Sequence, residues 1–420
     1  VQEATDYAFT WKGAMSSIID ANVTTAITAI ILLVFGTGPI QGFATTLLIG
    51  IFTSVITAVF VTRMFLDWSL SRNEKLAYST SLTKTWFKNL NIDFLGKKKI
   101  AYVVSGILVA LSIFSLATKG LNQGVDFVGG RTYQVRFDKP VSAPDVTADL
   151  VAVFGSAEAK VYGGNDQLKI TTKYKIKDEG IEVDKEVNTK LYDVLKKYFN
   201  NISYEQFIST AEGKKFGVLQ SMKVGPSISA DIKTNAYWSV LGAMLVVGLY
   251  LVVSFRKWQY SLGAIAAIVH DVIFVLGAYS LLYKFMPFHM EMDQHFIAAI
   301  LTVIGYSMND TVIVFDRIRE FLDGNYKGTF KEIVNASINT TLSRTINTSL
   351  TMIMVLLIMF IFGGDTLRGF VFAMLIGIVV GTYSSLFIAT PVLLDSMKKE
   401  DIDAIEKRHD EANKWIFKLI

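Results

Sequence analysis

The sequence predicts a polytopic α-helical membrane protein of eight spans with one α+β domain outside the bilayer, and three observations predict it. Of 420 residues, 51% are hydrophobic and 19% charged, a balance that one soluble core does not explain. Eight apolar runs are long enough, or nearly so, to cross ~30 Å of hydrocarbon. One polar stretch, 121–233, contains no such run and alternates strand and helix patterns instead.

In chain order the runs are 18–35, 42–66, 100–117, 236–255, 261–283, 295–315, 342–362 and 369–394. Charges lie within several of them, among them Asp20 in the first, Asp310 in the sixth and Arg344 in the seventh. Basic residues gather beside one set of run ends, among them Arg63, Arg72, Arg256, Lys257, Arg317, Arg319, Lys398 and Lys399. By the positive-inside rule that side is cytoplasmic. Both termini are then inside, and the connectors near Pro39, Pro287 and Asp365 are outside with the polar domain.

In the polar stretch, 131–137 and 167–172 alternate as strands, while 143–154 and 185–199 have helical apolar spacing. Short strands at 159–162 and 216–223 complete the order βαββαβ, that of a split-βαβ, ferredoxin-like fold. The expected organisation is two spans in 1–66, a cytoplasmic linker in 67–99 with Trp86 and Phe87 on the membrane surface, one span in 100–117, the outside domain in 118–233, five spans in 234–396, and a charged helical tail in 397–420.

The chain repeats itself. DANVTTAIT, GPIQGF, LLIG and TAVF, from Asp20 onward, run parallel to RTINTSLTM, DTLRGF, MLIG and SSLF, from Arg344 onward. Asp20 matches Arg344, Thr24 Thr348, Gly42 Gly369, Phe43 Phe370, Gly50 Gly377 and Phe60 Phe387. The second copy follows four further spans and a domain that the first lacks, and residues 1–12 read as the interior of a longer chain. A complete protein of about twelve spans is expected, repeated halves being a common transporter build.

A charge near the bilayer centre costs roughly 2.5–3.5 kcal/mol on an insertion scale, so Asp310, Arg344 and Asp20 are the candidate proton-relay residues. Helical spacing places Thr348 and Thr351 beside Arg344, Thr24 and Thr28 beside Asp20, and Tyr306 and Ser307 beside Asp310. All three charges fall in the cytoplasmic half of the bilayer, which allows an Asp to Arg contact. His270, Asp271 and Asn309 are further relay candidates, with helix-packing hydrogen bonds as the alternative for each. His289, His295 and His409 lack metal-ligand spacing. The sequence contains no cysteine, which removes disulfides and thiolate chemistry. No cofactor or metal site and no enzymatic nucleophile–base set is recognisable. GVDFVGG, 124–130, is not a phosphate-binding loop, since neither a GK[ST] triplet nor a helix follows; it shapes the entry to the outside domain.

GVDFVGG after a span, HDV, IGYSMNDTVIVFDRIRE, LSRTINTSLT and GTYSS in successive spans closely resemble SecF. IIDANVTTAI, GTGPIQGFA and FVTR resemble the last two spans of SecD. The order resembles a fused SecDF lacking most of its SecD half, within the RND superfamily, and so implies an RND-type bundle. The resemblance implies a Sec translocon accessory of the cytoplasmic membrane that uses the proton gradient for late-stage protein export. Implied partners are SecYEG, YajC, YidC, an unfolded preprotein and the lipid bilayer, with no nucleic acid. It assigns proton relay to Asp310 in NDT and Arg344 in SRT, and Asp20 in DAN is a further carboxylate. A SecD span bearing another Asp is absent here. The alternatives are an RND-type exporter of small molecules or lipids and a membrane scaffold without transport.

Overall fold

All eight apolar runs form helices in the computed structural model, which describes residues 2–11, 13–36, 39–72, 90–178, 180–209, 213–286, 288, 290–323, 326 and 328–407. The linker aromatics Trp86 and Phe87, His289 and the tail from 408, with His409, lie outside the described residues. The elements are α1 (Ala14–Phe35), α2 (Ile40–Ser71), α3 (Lys98–Lys119), β1 (Gly130–Arg136), α4 (Ala143–Phe154), β2 (Ala157–Tyr162), β3 (Gly164–Thr172), α5 (Ile181–Leu195), β4 (Gly217–Val224), α6 (Pro226–Phe255), α7 (Trp258–Leu282), α8 (Gln294–Asp323), α9 (Phe330–Phe362) and α10 (Leu367–Ser396). α1–α3 and α6–α10 are long and apolar enough to cross a bilayer.

Several helices outrun their apolar cores because local chemistry sets their ends. α9 starts at a capping box, with Thr329 Oγ1 accepting from the Glu332 amide and Glu332 Oε2 from the Thr329 amide. Pro226 starts α6 at a position where a missing amide hydrogen costs nothing.

The domain follows the predicted order. Its antiparallel sheet runs β2-β3-β1-β4, with Tyr133 opposite Ile170 and Val135 opposite Leu168. Their apolar face meets Val146, Leu150 and Phe154 of α4 and Val187, Leu191 and Leu195 of α5, as period-two alternation requires. The unpredicted short helix Tyr204–Ile208 begins at a second capping box, Ser203 with Gln206.

In the bundle α8 is central, with 78% of its apolar window buried, against 6% for α2. Small residues bring its neighbours close. A Cβ on Gly305 of α8 would lie 2.7 Å from Thr28 Oγ1 of α1, and one on Gly377 of α10 would collide with Val303 of α8. The repeat is visible in three dimensions. A π-turn interrupts α2 at Thr57–Val61 and α10 at Ser385–Ala389, and the matched rings of Phe43 and Phe370 pack edge to face with centroids 5.7 Å apart.

Candidate functional site in the membrane bundle

α8 holds Asp310 at its middle, 1% exposed. One carboxylate oxygen, Oδ2, accepts a long hydrogen bond from Ser349 of α9 at 3.5 Å. Ser349 Oγ is also 2.6 Å from Thr382 Oγ1 of α10. Among the described residues the other oxygen, Oδ1, has no hydrogen-bond partner, and neither has the buried hydroxyl of Tyr306 one turn away or that of Thr345 on α9. A buried carboxylate with an open oxygen, ringed by hydroxyls, is able to gain and lose a proton without breaking an ion pair.

The expected clasp between an aspartate and Arg344 does not form. Arg344 is exposed, and no acid lies within ion-pair distance of it among the described residues, though its charge is felt at Asp310 and Asp316. The reason is helical phase. The buried polar stripe of α9 is Ser337, Thr341, Thr345 and Ser349, each four residues from the next, and Arg344 points about 140° away from Ser349, five residues on. The sequence-level face of Arg344, Thr348 and Thr351 is the outer one, and Thr351 is exposed.

Asp20 is also placed elsewhere than expected. Its oxygens accept from Tyr250 Oη at 2.6 Å and Ser254 Oγ at 3.0 Å, both on α6, and the nearest cation is Arg319 at 4.0 Å. Thr24 and Thr28 are buried, and Thr28 lies against Gly305 of α8, whereas Asp20 bonds to α6. Arg319 sits 2.6 Å from Asp316 Oδ1. Asp316 was missed because its DRIRE segment reads as a basic cytoplasmic flank; its acid was the available signal.

His270 and Asp271 are both buried. Asp271 Oδ1 lies 3.0 Å from His270 Nδ1, and its Oδ2 accepts from Ser307 at 2.7 Å and Ser384 at 2.8 Å. Ser307 is one turn from Asp310, and Ser384 is two residues from Thr382. The hydroxyl partners of the two carboxylates thus sit close together along α8 and along α10, with no hydrogen bond joining the two sets among the described residues. Asn309 is half-buried and forms no side-chain hydrogen bond among the described residues.

At the other end of α8, the GVDFVGG turn ties the domain to the bundle. Gly124 N donates to Met292 O at 3.0 Å and Met292 N to Asn122 O at 2.7 Å. Asp126 accepts from the Gln294 amide at 3.1 Å, at the start of α8, and burial pushes its carboxyl above the usual carboxylate range. Lys169 of β3 lies 3.0 Å from Glu291. Between sheet and bundle these groups border an open cleft of about 360 Å³. His295 lies beside Asp293 at 3.4 Å.

The fold and these buried charges define a multi-pass membrane protein with an extramembrane α+β domain anchored on a central, charge-bearing helix. The family model for the C-terminal part of the SecD/SecF protein export membrane protein matches residues 2–72 and 204–399, and that for the SecD/SecF GG motif matches 114–141. The chain is 44% identical over 310 residues to the protein translocase subunit SecF of Rhodothermus marinus, covering 74% of this chain and 94% of that one. It is 32% identical over 405 residues to the protein translocase subunit SecDF of Bacillus subtilis, covering 91% of this chain and 51% of that one. The crystal structure of SecDF, a translocon-associated membrane protein, from Thermus thermophilus matches with a TM-score of 0.74 at 30% identity, over 90% of this chain and 48% of that one. The chain belongs to the SecD/SecF family, and it spans about half the length of these SecDF chains.

Proposed function

We propose that the chain is the SecF-like part of a Sec translocon accessory that uses the proton gradient to drive protein export. It works as a transporter rather than an enzyme, in the cytoplasmic membrane, with both termini in the cytoplasm and the α+β domain outside. The names of its relatives support the association with protein translocation. SecYEG, YajC, YidC and an unfolded preprotein are the proposed partners.

One observation carries the proton step: Asp310 is buried on the central helix with an oxygen unpartnered and no cation in contact among the described residues. An ionised carboxylate there is desolvated without full compensation. Taking up a proton removes one charge from within reach of Arg344 and changes the force between α8 and α9. α8 also begins at the Asp126 and Glu291 clamp, so a shift of that helix is transmitted to the domain. One charge crossing 100 mV supplies ~2.3 kcal/mol, comparable to the cost of rearranging a few side chains.

The repeat supports a role for Arg344 at an interface. Its counterpart Asp20 is covered by α6 and α8, so the equivalents of those helices in the SecD half would cover Arg344. The test is gradient-dependent preprotein translocation into vesicles containing the chain together with its SecD half. Asp310→Asn and Arg344→Met should each abolish the gain from the gradient. An undiminished gain in both variants would refute the proposal.

A further inference from the structure

Near the end of the bundle away from the domain, three charges meet that the Asp310 site does not use. Asp316 is 5% exposed, and its Oδ2 makes no hydrogen bond within normal distance among the described residues. Its Oδ1 holds Arg319 Nη2 at 2.6 Å, and the same nitrogen is 4.0 Å from Asp20 Oδ2 and 3.3 Å from Ser16 Oγ. The guanidinium lies over the Phe255 ring, 5.2 Å from its centroid. Two carboxylates thus compete for one guanidinium at the edge of the hydrocarbon.

With both acids ionised, two carboxylates face the single guanidinium in contact with them, the charge of Arg344 reaching Asp316 only from beyond ion-pair distance, and like charges sharing a site do not both ionise readily. One proton makes it neutral. We propose that Asp20, Asp316 and Arg319 form a second protonation site in which the two carboxylates share one proton and Arg319 turns toward whichever acid lacks it. In the observed arrangement Arg319 holds Asp316 and leaves a 4.0 Å gap to Asp20, whose two oxygens accept from the Tyr250 and Ser254 hydroxyls. A swing of Arg319 onto Asp20 frees both oxygens of Asp316 for the shared proton, with no net change in charge. The other titratable groups facing the cluster are Tyr250 on α6, Tyr260 on α7, Arg344 on α9 and, further along α8, Asp323. Asp316 is ~9 Å along α8 from Asp310, on the side away from the domain, which makes the cluster the release station of the proposed proton route.

This deepens the proton-coupled reading and rests on it only for the direction of flow, because the shared proton is measured without any export. The experiment is infrared difference spectroscopy of the purified full chain in lipid, following the protonated-carboxyl carbonyl band. Asp20→Asn and Asp316→Asn should each remove one acid's worth of band, since the remaining carboxylate ionises against Arg319. Arg319→Gln should add one acid's worth. Loss of band in only one of the two Asn variants, or in neither, would overturn the proposal. If the Asn variants do not fold, Arg319→Gln decides: an added acid's worth of band supports the proposal, and an unchanged band overturns it.

Discussion

The two copies of the internal repeat share sequence but not surroundings. Gly377 of the second copy abuts Val303 of the central helix, whereas a Cβ on its match, Gly50, would meet nothing within 4 Å. Phe387 packs against Phe94 and Tyr383 with centroids 5.1 Å away from each, while its match Phe60 is 69% exposed. The charges invert the relation, for Asp20 of the first copy is covered and Arg344 of the second is exposed. At these matched positions one copy therefore buries what the other exposes.

Substitution at the paired glycines breaks or sharpens this contrast most. Gly377→Ala should destabilise the chain by about 1–3 kcal/mol, because stiff, β-branched Val303 cannot yield cheaply. Gly50→Ala should stay within about 0.5 kcal/mol. Thermal unfolding in detergent measures both, and equal losses would remove the contrast. The next effect is at the clamp. Lys169→Met deprives Glu291 of its main partner and should cost about 1.5–3 kcal/mol, at the lower end because Lys160 stands 3.7 Å away. Faster amide exchange at 290–293 than in the unsubstituted chain is the expected signature.

The smallest effect lies in the domain, far from the repeat. Lys175 at 2.7 Å and Lys190 at 3.0 Å hold the Glu186 carboxyl down at about 2, below the ~4.3 of a free glutamate. A depressed acid binds its proton more readily when unfolded. Its stabilisation is therefore complete above pH ~4.3 and lost as the pH falls toward 2. An unfolding midpoint measured against pH should fall through that window, less steeply in Glu186→Gln, and the bundle's helical signal should not follow it.

Eight spans, the βαββαβ order and the repeat were legible because each rests on a periodicity or a length. The site was legible by residue but not by direction. Neighbouring helix positions differ by about 100°, so with threonines at 345, 348 and 351 and serine at 349, either side of α9 reads as polar. Only packing on α8 selects Thr345 and Ser349 over Arg344 and Thr348. Asp20 found Tyr250 and Ser254 of α6, partners that no local spacing marks. Asp316 and Arg319 were hidden because flanking charge at a span end ordinarily signals topology.

The central claim is that Asp310 takes up and releases a proton on the transport route. The most direct measurement is proton current across a planar bilayer containing the chain together with its SecD half, under an imposed pH gradient. A current present in the unsubstituted protein and abolished by Asp310→Asn is predicted. A current of equal size in that variant, or one driven only by a sodium gradient, would contradict it.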